Sequence, residues 1–294
     1  MSFLTRIYRI TACTNLHVGS GKQSYGIIDN LVQRDAVSNL PVINGSSLKG
    51  ALREYFTFHL TDPEHSMITY IFGKDTTDRE KQGDKNQAGN YLFFDSHLLS
   101  LPVRSNQLPF MRTTTASVMK HFQDTLEYSQ VKLKEQEQTA VLKQLTDLKV
   151  DSAKHFIEEL EEADVFLEDF DKSAEFESSV QSATLSSIVG ESLALLKHTP
   201  FSELCNDHHL PVIARNSLVD GRSENLWYEQ IVPRQTVFFT KVMVPIDEKN
   251  YLEEFEKYLT GEKKQLVQIG ANASIGQGFC QFSSIDIEPI KQEA

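Results

Sequence analysis

The sequence predicts an α+β fold in which two β-rich segments flank a large acidic insertion, and two observations predict it. Apolar and polar residues alternate in the segments on either side, as around Ile7, Tyr8 and Ile10, which is typical of strands. Residues 124–179 instead hold 16 acidic and 6 basic residues, and we expect residues 115–175 to be largely helical. The 294 residues allow one large domain or two small ones.

The first sixty residues predict a strand, a long glycine-containing loop and a helix. The strand covers residues 3–12. A short extended piece, residues 40–43, leads into a helix that Asn44 or Ser46 can cap. Gly50 inside this helix costs about 1 kcal/mol relative to alanine, and a close approach of another backbone would explain it. Four residues share the apolar helix face: Leu48, Leu52, Tyr55 and His59.

The rest of the chain predicts further strands around the acidic insertion. Residues 73–90 are polar and indicate a loop. We expect strands over residues 91–94, 98–103, 210–214, 226–232, 236–244, 265–269 and 279–287. We expect helices over residues 184–197 and 247–259, the second capped by Asp247. Asp220-Gly221 indicates a turn between two of the strands.

Composition narrows the class of protein. No run of about 18 apolar residues is present, and the N-terminus lacks the apolar region of a signal peptide. The cysteines, Cys13, Cys205 and Cys280, are far apart, so neither a disulfide framework nor a zinc ribbon is indicated. We expect a cytoplasmic protein without a membrane partner.

The charge of the chain is unevenly distributed. The formal net charge of −12 argues at first against a nucleic-acid partner. Residues 124–179 carry −10 of that charge, whereas residues 1–60 carry six cations and three acids. The acidic block is therefore separate from a cation-containing segment that can still bind a polyanion.

The segment from Leu16 to Arg53 predicts a phosphate-binding surface. Glycines alternate there with hydroxyl residues and with spaced cations. Glycine lets a backbone come close to a bulky anion, which backbone N–H groups and cations can then bind. Lys49 near the helix start opposes the helix dipole, and a bound anion would remove that penalty.

Four side chains in this segment have both a chemical and a structural interpretation. Asp29 would repel a phosphate unless it binds a metal ion or takes up a proton, and its alternative role is an Asx turn beside Asn30. His17 could be a general base, although a lone histidine in such a loop is more often structural. Arg34 and Arg53 could bind phosphate or form surface ion pairs.

Other motifs are weaker. Gly45 to Gly50 has the spacing of a P-loop start, but Ala51 stands where the lysine should be. Gly276-Gln277-Gly278 is too short for a dinucleotide fingerprint. His208-His209 hints at a metal site, but a polar loop before a strand explains it more simply. Neither His-Glu-x-x-His nor Gly-x-Ser-x-Gly occurs.

Taken in order, several segments resemble the RAMP superfamily of CRISPR-associated RNA-binding proteins, and most closely the backbone subunits of type III-B (Cmr) effector complexes. The segments are residues 16–21, 26–30, 33–35, 40–53, 94–104, 213–216, 228–233 and 269–279. The resemblance spans nearly the whole chain, and the acidic block is its least recognisable part.

The resemblance implies a fold, domains and partners. It implies a ferredoxin-like (RRM-like) palm formed by residues 1–112 and 200–294, a thumb hairpin within residues 216–229, and a helical insertion at residues 113–199. Several copies would stack head to tail along a guide CRISPR RNA, with each thumb displacing one nucleotide at regular spacing. Other partners would be the large polymerase-like subunit, the small helical subunits and other RAMP subunits.

The resemblance also implies an activity. Asp29 would cut the paired target RNA at the displaced nucleotide, either as the ligand of a divalent cation, Mg or Mn, or as a direct base. The expected products are a 2′,3′-cyclic phosphate and a 5′-OH. The residues expected to bind RNA are His17, Gly19, Ser20, Gly21, Arg34, Ser47, Lys49, Arg53, Gly276 and Gly278. Base pairing, rather than the protein, would choose the target.

Three alternatives stay open at this point. The chain could be a scaffold that binds guide RNA without an active site, the corresponding backbone subunit of a type III-A complex, or a guide-processing ribonuclease that uses His17. We also expect the acidic block to contact neighbouring protein subunits, so that deleting residues 124–175 would spare guide binding.

Overall fold

The computed structural model describes residues 2–23, 26–60, 66–74, 88–219, 222–247 and 250–290. In these ranges the strands are β1 (Phe3–Ala12), β2 (Gly19–Gln23), β3 (Asn30–Val32), β4 (Val42–Ile43), β5 (Leu92–Phe93), β6 (Ser96–Val103), β7 (Met111–Thr115), β8 (Val131–Leu133), β9 (Ala153–His155), β10 (Glu175–Phe176), β11 (Leu193–Leu196), β12 (Val212–Val219), β13 (Arg222–Gln230), β14 (Val237–Pro245), β15 (Val267–Gln268), β16 (Phe279–Ile285) and β17 (Ile287–Pro289). The helices are α1 (Gly45–His59), α2 (Ser66–Phe72), α3 (Ala116–Tyr128), α4 (Gln136–Asp147), α5 (Ser186–Val189), α6 (His198–Leu204) and α7 (Leu252–Leu259). The predicted turn at Asp220-Gly221 and most of the predicted loop at residues 73–90 lie outside the described residues.

Eleven of the described strands form one central sheet. Its order is β10-β9-β11-β7-β6-β14-β1-β16-β15, with β4 also paired to β6 and β5 to β14. The middle strands β6, β14, β1 and β16 are mutually antiparallel where they pair. Along the chain, α1 lies between β1 and β6, and α7 lies between β14 and β16. The predicted α+β class is confirmed. None of the described helices is long and apolar enough to span a bilayer.

Aromatic side chains hold α1 and α7 against one face of the central sheet. Phe56 of α1 stacks on Phe255 of α7 with 4.9 Å between the ring centroids, and Tyr8 of β1 meets Phe255 edge-on at 6.4 Å. All three rings are buried. Because buried aromatic rings remove a large apolar area from water, this cluster accounts for the attachment of both helices.

The opposite face of β1 is covered by the insertion. Ile7 is buried on that face, and Arg9 donates hydrogen bonds to the carbonyls of Ser186 and Ser187 in α5 at 3.3 and 3.1 Å. Neighbouring residues of a strand point to opposite faces, and yet Ile7 and Tyr8 are both buried. The centre of the sheet has a protein layer on each side.

The insertion differs from its predicted secondary structure. Between residues 115 and 175 the long helices are α3 and α4, and short strands and turns make up the rest. The predicted helix over residues 184–197 is wrong, because α5 has only four residues and Leu193–Leu196 form β11. All four residues of β11 are buried between β7 and β9. A short apolar run does not by itself distinguish a helix from a buried strand.

The insertion is also continuous with the rest of the molecule. Strands β7, β11 and β9 extend the central sheet, and Leu126, Leu142 and Leu167 belong to the same buried cluster as Ile7. Most carboxylates of residues 158–171 are exposed, as their density predicted. Deleting residues 124–175 would open the shared core, so that deletion cannot test which partner the acidic block contacts.

Two predicted boundaries near the C-terminus shift. The helix expected from Asp247 begins at Leu252, after Tyr251 with a φ of 55°, so Asp247 is not its cap. The hairpin expected within residues 216–229 is longer, since β12 and β13 extend from Val212 to Gln230.

A second sheet of four strands, in the order β12-β13-β3-β2, carries this hairpin. Strand β13 pairs in parallel with β3 through Glu229 and Asn30. Residues 222–226 of β13 are exposed, whereas Glu229 and Gln230 are buried. The hairpin therefore extends outward from a buried base.

The burial of His155 in β9 should make the stability of the protein depend on pH. This histidine is completely buried, and neither ring nitrogen has a hydrogen-bond partner among the described residues. Burial lowers the pKa of His155 below 6.5, so the unfolded chain binds this proton more readily and stability falls as the pH drops below about 6.5. We expect His155→Leu to raise the free energy of unfolding by about 1 kcal/mol and to reduce this acid-induced loss.

Urea titrations at neutral and mildly acidic pH measure both effects. His208→Leu, at an exposed histidine, is the matched control. The interpretation fails if His155→Leu and the wild-type protein lose the same free energy of unfolding on acidification.

Candidate functional site

Asp29 is exposed and is held against β13 by two hydrogen bonds. Its backbone N–H donates to the Tyr228 carbonyl at 3.1 Å, and its Oδ2 accepts from the Tyr228 N–H at 2.7 Å. The Oδ1 atom accepts no hydrogen bond from the described residues. The carboxylate is therefore positioned by a strand distant in sequence, and the Asx-turn interpretation does not describe these bonds. One oxygen is left for a ligand or a proton.

Glu229, the next residue of β13, is a buried carboxylate that binds donors from separate segments. Its Oε1 accepts from Trp227 Nε1 at 2.9 Å and from Asn30 Nδ2 at 3.4 Å. Its Oε2 accepts from Asn272 Nδ2 at 2.9 Å and from Arg215 Nη1 at 3.1 Å. Burial alone would raise the pKa of Glu229, but the Trp227 and Asn272 hydrogen bonds and the Arg215 charge outweigh it and lower the pKa.

The Glu229 contacts join three parts of the chain. Asn30 directly follows Asp29, Arg215 and Trp227 lie in the hairpin, and Asn272 lies in the C-terminal glycine loop. A charged hydrogen-bond acceptor shared among them fixes the loop that carries Asp29 relative to the hairpin.

His17 is buried beneath this region rather than exposed to solvent. Only 4% of the residue is accessible, and its Nδ1 lies 2.6 Å from the Gln230 carbonyl oxygen. The His17 carbonyl accepts from Ala271 N–H at 2.9 Å. A Cβ at Gly19 would lie 3.1 Å from His17 Nε2, so the ring also sets how closely β2 passes. This placement gives His17 a structural role, and its predicted contact with RNA stays a prediction.

Gln33 connects the start of β2 to the start of α1. Its Nε2 donates to the Gly19 carbonyl and to Ser47 Oγ, both at 3.2 Å. Its Oε1 accepts from the Asn44 N–H at 2.9 Å. Gly19 and Ser47, which the sequence proposes as RNA contacts, are thus brought together by a side chain that the sequence analysis did not single out.

Lys49 and Arg53 lie one helical turn apart on α1 and differ in their contacts. Arg53 Nη1 donates to the Gly73 carbonyl at 3.0 Å. Lys49 has no ion pair or hydrogen bond within the described ranges, and its side chain is partly buried. Partial burial and the neighbouring Arg53 charge lower the pKa of Lys49. Of the three cations predicted to bind RNA, Lys49 is therefore the one without a partner in the described ranges.

Arg34 is largely occupied within the protein. Its Nη2 lies 2.7 Å from Asp207 Oδ1, and its Nη1 donates to the Asn39 and Cys205 carbonyls at 2.8 and 2.6 Å. Its side chain is 13% exposed. These bonds match the ion-pair alternative, and a role in RNA binding stays a prediction.

The remaining predicted contacts divide into exposed and packed positions. Ser20, Gly21 and Gly276 are exposed, and a Cβ at Gly21 or Gly276 would meet nothing within 4 Å. Gly278 has a φ of +82°, and a Cβ there would lie 2.1 Å from the Ile269 carbonyl oxygen. Gly278 is therefore required by the fold of its own loop.

The described part of the chain contains no group of three or more His, Cys, Asp or Glu side chains that could hold a metal ion. Asp29 alone would offer a cation one carboxylate. Mg²⁺ commonly retains several waters and uses one or two carboxylates together with substrate phosphates. The residues present therefore fit a cation that binds together with RNA, and do not fit an all-protein metal site.

Sequence reasoning missed Glu229, Gln33 and Asn272 as organising residues. Glu229 lies within a segment that carries the family resemblance, but its sequence neighbourhood does not reveal that it is buried. Gln33 and Asn272 also lie in segments that carry the resemblance, but a neutral polar residue in a loop does not reveal its hydrogen-bond partners.

The sequence matches one protein family over most of its length. The match to the RAMP superfamily covers residues 9–281. A relative, the CRISPR system Cmr endoribonuclease Cmr4 of Pyrococcus furiosus, is 28% identical over 296 residues, which cover 96% of this chain and 95% of the relative.

Solved structures have the same fold over nearly the whole chain. A chain of the type III-B Cmr-beta complex bound to cognate target RNA has a TM-score of 0.77 at 23% identity, covering 96% of this chain and 97% of that chain. Oligomeric Cmr4 from Pyrococcus furiosus has a TM-score of 0.66 at 21% identity, covering 99% and 100%.

The charge of Glu229 should contribute to the stability of the protein at neutral pH. Glu229→Gln keeps the shape of the side chain but removes the charge that faces Arg215, so we expect the free energy of unfolding to fall by about 1–3 kcal/mol at neutral pH. Because the folded pKa of Glu229 is lowered, its contribution is present at neutral pH and is lost as the pH falls through that lowered pKa.

The difference in the free energy of unfolding between Glu229→Gln and the wild-type protein should therefore shrink in acid. Urea unfolding at a series of pH values from neutral to acidic measures it. Glu224→Gln, at an exposed carboxylate of the same strand, is the control. A difference that is constant with pH would contradict the charge-based explanation.

Proposed function

The chain belongs to the RAMP superfamily, and we propose that it is a guide-RNA-binding, filament-forming backbone subunit of a type III-B CRISPR effector complex. In this proposal it cleaves complementary target RNA at regular intervals. The similarity to Cmr4, a Cmr endoribonuclease, supports the assignment because it extends over 96% of the chain. The main structural support for cleavage is the exposed Asp29 carboxylate, which is held against the hairpin by a hydrogen bond from the Tyr228 N–H.

We assign the four middle strands of the central sheet, with α1 and α7, to a ferredoxin-like palm. The strand order β16-β1-β14-β6 and the positions of the two helices between strands support this assignment. The β12–β13 hairpin would be the thumb, and residues 113–199 would be the insertion. Copies stacked along the guide would place each hairpin beside the RNA at a regular spacing.

The proposed cleavage uses a nucleophile that RNA itself supplies. The 2′-oxygen next to the scissile phosphate attacks phosphorus, and the bond from phosphorus to the 5′-oxygen breaks. The proton of the 2′-OH passes to the Asp29 carboxylate or to a water beside it, and the 5′-oxygen takes a proton from water. A 2′,3′-cyclic phosphate and a 5′-OH result. A displaced nucleotide favours this reaction because it can reach in-line geometry.

A divalent cation, Mg or Mn, is proposed to bind at Asp29 together with the RNA phosphates. When bound, it would neutralise charge that develops on the phosphate. Asp29 Oδ1 is available for this role, while Oδ2 stays bonded to the Tyr228 N–H.

Guide RNA would lie along the N-terminal segment. Lys49, Ser20 and the exposed glycines would contact its phosphates and sugars without reading sequence, and base pairing would choose the target. The carboxylates exposed on the insertion would repel RNA, which favours protein subunits as the partners of that surface.

The alternatives make different predictions. A scaffold without an active site would not depend on Asp29. A guide-processing ribonuclease would need His17 to reach substrate, and the burial of His17 does not favour it. The similarity to Cmr4 over the whole chain favours type III-B over type III-A.

Asp29→Asn tests the catalytic assignment. The amide oxygen that this substitution introduces can still accept from the Tyr228 N–H, so we expect the fold and target binding to persist while cleavage falls by at least about 100-fold. The assembled complex with guide and 5′-labelled target, analysed on denaturing gels, measures this loss. Glu253→Gln, at an exposed carboxylate of α7, is the control. Unchanged cleavage by Asp29→Asn would support the scaffold alternative.

Chelation tests the cation. We expect EDTA to stop target cleavage and leave guide binding intact, and added Mg or Mn to restore cleavage, because the cation is proposed to act only at the phosphate beside Asp29. Full cleavage in EDTA, together with loss of cleavage in Asp29→Asn, would instead assign Asp29 as a direct base.

A further inference from the structure

Gly50 is an exposed glycine in the interior of α1 that nothing within the described part of the chain explains. A Cβ built at Gly50 meets no atom within 4 Å, and Gly50 is not among the glycines with positive φ. Gly45 of the same helix is different, since a Cβ there would lie 2.7 Å from the Phe93 carbonyl oxygen. The fold therefore requires glycine at position 45 but would accept a side chain at position 50. Alanine there would strengthen the helix.

Two cations, Lys49 and Arg53, lie next to Gly50, and one acid, the exposed Glu54, lies one helical turn from Gly50. Lys49 has no partner within the described residues, and Arg53 donates to a backbone carbonyl rather than to an acid. Partial burial and the charge of Arg53 already disfavour the protonated form of Lys49. An anion that lies along this side of the helix would relieve the repulsion between the two cations.

We propose that the sugar–phosphate backbone of the bound RNA packs directly against the bare Cα of Gly50. The absence of a Cβ lets the strand come close enough for Lys49 to bind its phosphate. This inference rests on the proposed function, because it assumes that α1 binds RNA. It adds a contact that is possible only because position 50 has no side chain. Such a contact explains why a helix keeps a destabilising residue on its exposed surface.

Substitution at Gly50 should therefore change stability and RNA affinity in opposite directions. We expect Gly50→Ala to raise the midpoint of thermal unfolding by about 2 °C and to weaken binding of a fluorescein-labelled, mixed-sequence single-stranded RNA several-fold. We expect Gly50→Leu to weaken that binding by at least about tenfold, since a larger side chain moves the strand further from Lys49. Neither variant removes a charge, but a strand displaced from Lys49 loses one phosphate contact, so the dependence of affinity on salt should become shallower in Gly50→Leu.

Ala140→Leu is the matched control, because it adds the same side chain at an exposed position of another helix without changing charge. We expect its RNA affinity to equal that of the wild-type protein. If the Gly50→Ala variant is more stable than the wild-type protein and binds RNA as tightly, the inference is wrong. Gly50→Leu that binds RNA normally but fails to self-associate would also overturn it, because the contact would then be with protein.

Lys49→Ala separates failure of this inference from failure of the proposed function. We expect it to weaken binding and to reduce the salt slope by about one. If Lys49→Ala behaves in this way while Gly50→Leu binds normally, only the close approach at Gly50 is wrong. If both variants bind RNA as tightly as wild type, α1 is not the RNA surface, and the proposed function loses its binding site.

Discussion

The candidate site depends on one buried carboxylate, Glu229, and on the donors that surround it. Its two oxygens bind an indole and a guanidinium of its own hairpin and two amides from segments distant in the sequence. A buried charge is stable only when such partners satisfy it, so the segments cannot separate independently. Asp29 lies next to one of these partners, Asn30, and its position follows from that connection.

The central sheet supplies the rigid support for this arrangement. Its middle strands have helices α1 and α7 on one face and the end of the insertion on the other. The acidic insertion therefore has two roles, since its apolar residues complete the core while its carboxylates stay in water. Its charge need not be neutralised for the chain to fold.

The separation of charge within the fold reconciles an acidic protein with the proposed RNA partner. Repulsion from exposed carboxylates is screened by salt over roughly 10 Å, whereas a cation in direct contact with a phosphate releases a condensed counterion, which favours binding. Lys49 on α1, which has no partner among the described residues, is proposed to be such a cation. Under this proposal, local charge rather than net charge determines where RNA binds.

The sequence by itself determined the α+β class, the family and most of the apolar face of α1, although it included the half-buried His59 and missed the buried Phe56. Strand alternation, helical spacing and ordered motifs are local signals. The sequence also identified Asp29 and Lys49 as the residues to examine. The tertiary structure decided what their neighbours do. Leu193–Leu196 became a strand because β7 and β9 were there to pair with it, and His17 and Arg34 were committed to partners far along the chain. Such partners are invisible in a linear sequence, since burial and hydrogen bonding depend on contacts between segments that only folding brings together.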